Sequence, residues 1–321
     1  MNIQPTLTPQ EQSEAADKLR EDSPGPQEES VKLTYYPGCT LFTKARNLDD
    51  CARKAAKRVG FELVEMPSWT CCGAIYNTNS DDLASQVGPV RNLARASQLG
   101  DRLVTLCAAC YNVLKRANNN LNAKGNEQTR ERLLGFIDEE FKKPVSVVHY
   151  LDVLKSQIGW ERVKQSVVKE LGGLKVASYY GCLMVRPREV LDFDDPDNPV
   201  VMDELVTSLG GQPIDYDFKT ECCGGYLVIS RREAAVECSR RIIENISQAG
   251  AEVIVTTCPL CQYNLDVLQK EIAAKQSGFR TIPVFYFTQL LGLAVGLEEA
   301  ELALDYNQTD ARPILRERGL L

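Results

Sequence analysis

The stretch Thr70-Cys71-Cys72-Gly73 recurs 151 residues later as Glu221-Cys222-Cys223-Gly224. Working outward from the first pair, Cys39 stands upstream across a gap of 31 residues, and Cys107-Ala108-Ala109-Cys110 follows after a gap of 34. Around the second pair the gaps are 39 to Cys182 and 34 to Cys258-Pro259-Leu260-Cys261. Ten of the twelve cysteines therefore fall into one pattern written twice. The offset between copies stays at 151 residues from the paired cysteines through the CxxC, so the register holds without a net insertion. Internal duplication accounts for that constancy, and two similar domains are expected.

The sequence around each cysteine indicates how three distant positions come together. KLTYYPGC, from Lys32, reads as a short strand entering a Gly-Cys turn, and LKVASYYGC, from Leu174, matches it. FELVE (61–65) is a second strand that leads into the first pair; its counterpart in QPIDYDFKTECCGG is weaker. DRLVTLCAAC and AEVIVTTCPLC each give a strand whose end carries the CxxC, and PVSVVHYLDVL and TIPVFYFTQLL each give a fourth strand running into a helix. Helices are expected at 44–58, 81–99 and from about residue 110. Strands alternating with helices predict an α/β fold with parallel sheets, which places ligands beyond the carboxyl ends of the strands. The expected divisions are a disordered acidic leader at 1–30, a first domain at 31–160, a second at 161–300 and a surface tail at 301–321, with 156–172 as linker.

The formal charge of −7 argues against a nucleic-acid partner, which needs a basic face. No apolar run reaches the roughly 20 residues of a membrane span, and nothing at the N-terminus resembles a secretory signal, so a cytoplasmic location is expected. In that reducing setting, dense cysteine indicates metal or redox chemistry rather than disulfides. Four thiolates complete a zinc site, whereas each half offers five. Adjacent cysteines are awkward around one small ion and suit a cluster of several irons; zinc in one motif is the alternative. Gly38 and Gly181 precede the first cysteine of each copy, and Gly73 and Gly224 follow the pairs, where bare backbone can approach a cofactor and present its N–H groups.

From Lys32 to Ala294 the twice-written motif resembles the cysteine-rich CCG domain, and two complete copies resemble the B subunit of heterodisulfide reductase. The resemblance implies two Rossmann-like CCG domains related by a pseudo-twofold axis. It implies two non-cubane 4Fe-4S clusters, one on Cys39, Cys71, Cys72, Cys107 and Cys110 and one on Cys182, Cys222, Cys223, Cys258 and Cys261. It further implies that these ten cysteines are catalytic, reducing a mixed disulfide (coenzyme M with coenzyme B, or a related pair) in two one-electron steps. The implied partners are two separate subunits, one ferredoxin-like and carrying iron–sulfur, the other flavin-containing, because no ferredoxin-like cysteine run occurs in this chain. The alternatives are an electron-transfer or sulfur-oxidising component of a related complex, or a zinc-stabilised scaffold.

Further residues are candidates on position alone. His149, the single histidine, closes the VSVVH strand and could supply a proton near the first nest. Lys44 and Arg186 follow Cys39 and Cys182 and could attract an anion; Cys51 and Cys238 lie in helices outside the motifs and read as buried apolar thiols.

Overall fold

Two four-stranded sheets of matching strand order carry the chain. In this computed structural model, which describes residues 31–74 and 83–321, the first sheet runs β2-β1-β3-β4 and the second β6-β5-β7-β8. The strands are β1 (Val31–Tyr35), β2 (Phe61–Glu65), β3 (Arg102–Thr105), β4 (Ser146–His149), β5 (Lys175–Tyr179), β6 (Gln212–Pro213), β7 (Val253–Thr256) and β8 (Val284–Tyr286). The β1–β3, β3–β4, β5–β6, β5–β7 and β7–β8 pairs are all parallel. The leader expected at 1–30, and the start of the helix expected from 81, lie outside the described residues.

The inner strands β3 and β7 are covered on both faces: Leu103, Val104 and Thr105 of β3 and every residue of β7 are buried. The helices that matter for the site are α1 (Arg46–Val59), α2 (Leu83–Leu99), α3 (Ala108–Asn122), α4 (Arg232–Gln248), α5 (Pro259–Val267) and α6 (Phe287–Ala294). Helix α1 buries Leu48, Cys51, Ala52, Ala55, Ala56 and Val59 on one face and stops at Gly60, whose φ of 105° forms a left-handed cap. That face is lined with alanine, so the second copy's α6, buried along its whole length, packs against it. The hydroxyl of Thr288 on α6 donates to the Leu48 carbonyl at 3.0 Å.

Both repeats lie within one compact unit, residues 32–321. The segment expected to link them is itself packed: the backbone N–H groups of Val168 and Lys169 both donate to the Ala294 carbonyl, and Leu171 is buried. The expectation of a surface tail after residue 300 is corrected. Leu302, Leu304, Ala311, Leu315 and Leu320 are all buried. Asn307 donates to the Val284 carbonyl at 2.6 Å and receives hydrogen bonds from Gln289 and from Asn47 of α1. The charges in this stretch concealed a leucine set spaced to reach the core.

Candidate metal centre

The register of the sheets explains how the cysteines gather. Thr105, the last residue of β3, lies opposite His149, and Thr256 of β7 lies opposite Tyr286. Two residues past these strand ends stand Cys107 and Cys258, which cap the N-termini of α3 and α5. Each CxxC is thus one strand end and the first turn of one helix, where free backbone N–H groups and the helix dipole favour a thiolate. Cys39 and Cys182 follow β1 and β5, the neighbouring strands, across tight Gly turns.

Sulfur positions follow from that convergence. In the first nest Cys39 Sγ lies 3.6 Å from Cys71 Sγ, and Cys72 Sγ 3.4 Å from Cys110 Sγ. In the second, Cys223 Sγ lies 3.6 Å from Cys261 Sγ. Backbone amides point at these sulfurs: Gly73 N–H donates to Cys71 Sγ at 3.4 Å, Gly224 N–H to Cys222, and Gly225 N–H to Cys223. Gly38 and Gly181 have φ of +79° and +63°, and a Cβ on them would come within 2.9 Å of Cys110 Sγ and 3.0 Å of Cys261 Sγ. Only glycine fits there, on both grounds.

Crowded thiols cannot all ionise alone. Hydrogen bonds from their neighbours hold Cys72 and Cys258 below the ordinary thiol range, and Cys222 at about 2, with the help of backbone N–H groups. The same sharing pushes Cys71, Cys110, Cys182 and Cys261 up, and Cys223 to about 12. Five thiolates in one nest therefore require positive charge among them. This donor set fits an iron–sulfur cluster, whose irons supply that charge.

The two nests meet. Cys258 of the second copy accepts the backbone N–H of Ala109 from the first, as well as those of Leu260 and Cys261. A cavity of about 290 Å³ is lined by all five cysteines of the first nest and by Cys258, Tyr226, Pro259, Leu260 and Tyr263 of the second copy; Thr40 and Lys44 also line it. The second nest contributes Cys182 to a different cleft, bordered by Asn112, Arg116, Arg186 and Arg188.

Other expected residues separate on this geometry. His149 is fully buried, its Nε2 lies 2.8 Å from the Leu106 carbonyl, and its Nδ1 accepts the Leu151 N–H at 3.2 Å. Both ring nitrogens serve the backbone, and burial holds the ring neutral, with a pKa near 4. The side chain caps the helix that follows β4. Lys44 does line the cavity, while Arg186 is engaged with the carbonyls of Thr220 and Pro196 and with Asp197. Cys51 is buried against the Glu301 and Leu302 carbonyls, and burial pushes its thiol up to about 12. Cys238 is only half-buried, and its thiol is pushed up by burial and then by the nearby Cys222.

One pair of residues the sequence held in plain view is Tyr36 and Tyr179, each two residues before the Gly-Cys turn. Their buried hydroxyls donate to the carbonyls of Thr70 at 2.8 Å and Glu221 at 2.6 Å, the residues just before each cysteine pair. One phenol per copy fixes the pair relative to the Gly-Cys turn. The braces on the far side differ. Asn92 of α2 brackets Thr70 with two hydrogen bonds of 2.8 Å, whereas Asn264 of α5 holds the carbonyls of Cys223 and Gly225.

Comparison with known proteins matches the model of the CCG cysteine-rich domain to residues 33–115 and 176–266. The 8-methylmenaquinol:fumarate reductase membrane anchor subunit of Wolinella succinogenes is 32% identical over 280 residues, covering 87% of this chain and 98% of that protein. The B subunit of the ferredoxin/F420H2-dependent CoB-CoM heterodisulfide reductase of Methanosarcina acetivorans is 30% identical, covering 86% of this chain and 93% of that one. Among solved structures, a hypothetical protein from Helicobacter pylori superposes with a TM-score of 0.67 at 12% identity, over 95% of this chain and 58% of its own. Its likeness is one of fold, and this chain spans little more than half its length.

Proposed function

The chain belongs to the CCG cysteine-rich family, with relatives named as B subunits of heterodisulfide reductase, and from that premise we propose that it is the disulfide-reducing subunit of such a complex. The carrying observation is the single cavity into which all five thiols of one nest and Cys258 of the other are directed. Cys39, Cys71, Cys72, Cys107 and Cys110 would hold one non-cubane 4Fe-4S cluster, and Cys182, Cys222, Cys223, Cys258 and Cys261 the other. When bound, such clusters supply one electron each and an iron with affinity for sulfur.

The protein's own groups do the rest. Ala109, Leu260 and Cys261 amides stabilise negative charge on Cys258 where the copies meet. Pro259, Leu260 and Ala74 make the cavity wall apolar, which excludes water from the S–S bond. One S–S bond breaks, two electrons enter from a low-potential one-electron donor, and solvent protons convert the two thiolates to thiols. No helix among the described residues is long and apolar enough to cross a membrane. We place the chain in the cytoplasm, with two partner subunits as its electron source, one ferredoxin-like and carrying iron–sulfur, the other flavin-containing.

A second reading has its own observation. The Wolinella relative, matched over nearly its whole length, is named for a quinol-linked fumarate reductase. In that setting the paired nests would pass electrons between partner proteins, and disulfides would not be substrates. Anaerobic purification with metal analysis and a disulfide assay using a reduced low-potential dye separates the readings. Disulfide reduction with about eight irons per chain supports the first. Full iron with inertness toward every disulfide favours the relay, and colourless protein holding zinc overturns both.

A further inference from the structure

Two tyrosines of the second copy line the cavity over the first nest. The hydroxyl of Tyr263 is engaged with Arg232. That of Tyr226 has no hydrogen-bond partner among the described residues. Tyr226 is half-buried, and after burial itself the charges that bear on its phenol are those of Cys258, then Cys107, Cys72 and Cys110. It therefore stands between the two nests, on the wall of the cavity that all five cysteines of the first nest and Cys258 of the second also line.

The duplication does not supply this group twice. Counting back the constant 151 residues from Tyr226 gives Ile75, which has no hydroxyl to offer. Among the described residues, the cavity thus holds an O–H donor without a hydrogen-bond partner. A neutral disulfide sulfur accepts hydrogen bonds weakly, whereas a thiolate accepts them strongly. A donor fixed at this place is worth most as negative charge grows on a sulfur leaving over the first nest.

We propose that Tyr226 donates a hydrogen bond to the substrate sulfur seated against the first nest and thereby fixes which half of an unsymmetrical disulfide lies there. The inference rests on the disulfide-reductase reading. Tyr226 acts as a donor only and keeps its proton; the protons that complete the thiols come from solvent.

The test is Tyr226→Phe in the full, cluster-loaded protein, with iron content and the resting EPR spectrum measured before any substrate. 1-Propanethiol is then titrated while its perturbation of the EPR signal is followed. With iron and resting spectrum unchanged, the variant should need about tenfold more thiol than the parent protein, the loss of one hydrogen bond to a charged acceptor. In a Cys223→Ser background, which keeps the first nest, the tenfold loss should persist; in Cys72→Ser, which keeps the second, it should vanish. An unchanged affinity, a loss of equal size in both backgrounds, or depleted iron in the Phe variant overturns the assignment. If the parent protein itself ignores the thiol, the disulfide-reductase reading falls and this proposal with it. If the parent responds and the variant responds equally, only the role of Tyr226 falls.

Discussion

The two copies share their cysteines, their strand order and their tyrosine brace, yet they face solvent differently. The first nest lies open to an apolar cavity, whereas the second has Cys222 exposed and Cys182 lining a cleft bordered by three arginines. Residue 112 illustrates how the difference arises. Asn112 of α3 donates to the carbonyls of Leu183 and Arg186 at 2.9 and 2.7 Å, tying the first copy onto the Cys182 turn of the second. Its counterpart 151 residues on is Tyr263, which lines the cavity and is 42% exposed. Duplication therefore kept the cysteines, and divergence at a few surrounding positions gave the two nests different walls.

The comparison breaks most sharply at the cysteines. If both nests serve one substrate, Cys72→Ser and Cys223→Ser should each lower disulfide turnover by at least about 100-fold, and the double variant should fall little further, because groups acting as a unit are not additive. Steady-state assays beside iron analysis check this. A single variant that lost one cluster and kept normal turnover would make the two nests functionally unequal.

Next in size is the tie at residue 112. Asn112→Ala removes two hydrogen bonds and strands two carbonyls, so a loss of about 1–3 kcal/mol is expected in denaturant unfolding. Tyr263→Ala, at the matching position, should cost about 0.5 kcal/mol or less as a surface change. Equal losses would mean that the two approaches are held alike.

The smallest effect lies in the helix caps after the fourth strands. His149 N–H donates to Asp152 Oδ2 at 3.0 Å, and Tyr286 N–H donates to Gln289 Oε1 at 3.0 Å, so one geometry carries titrating groups only in the first copy. Burial lowers His149 from 6.5 to about 4, so its contribution to stability is whole above 6.5 and is lost as pH falls toward 4. Burial raises Asp152 from 3.8 to about 6, so the fold binds that proton first and gains stability over nearly the same window as pH falls. The two oppose each other. Asp152→Asn leaves the histidine unopposed, and its melting temperature should drop more steeply between pH 6.5 and about 4 than that of the parent. Parallel melting curves would show that Asp152 contributes no pH dependence in this window.

What could be read from the sequence was what repeats. The cysteine gaps and the four strands of each copy are periodic in the chain, and even the weak strand before the second pair is weak in the fold, only Gln212–Pro213. The exceptions are contacts that periodicity does not carry. His149 looked chemical because a strand end pointed it at the nest, but local backbone groups claimed both its nitrogens. Tyr226 was passed over because nothing in the motif marks it, and its place depends on how two copies meet. The C-terminal leucines were hidden by the charged residues between them.

The contact between Asn47 and Asn307 spans 260 positions of chain. During synthesis at roughly 5–20 residues per second, α1 emerges early but waits on the order of tens of seconds for α6 and the C-terminal leucines that cover it. Its alanine-rich face stays uncovered by α6 for that interval. A ribosome stalled between the two repeats would release a chain with five cysteines of the motif in place and no partner surface to shield them.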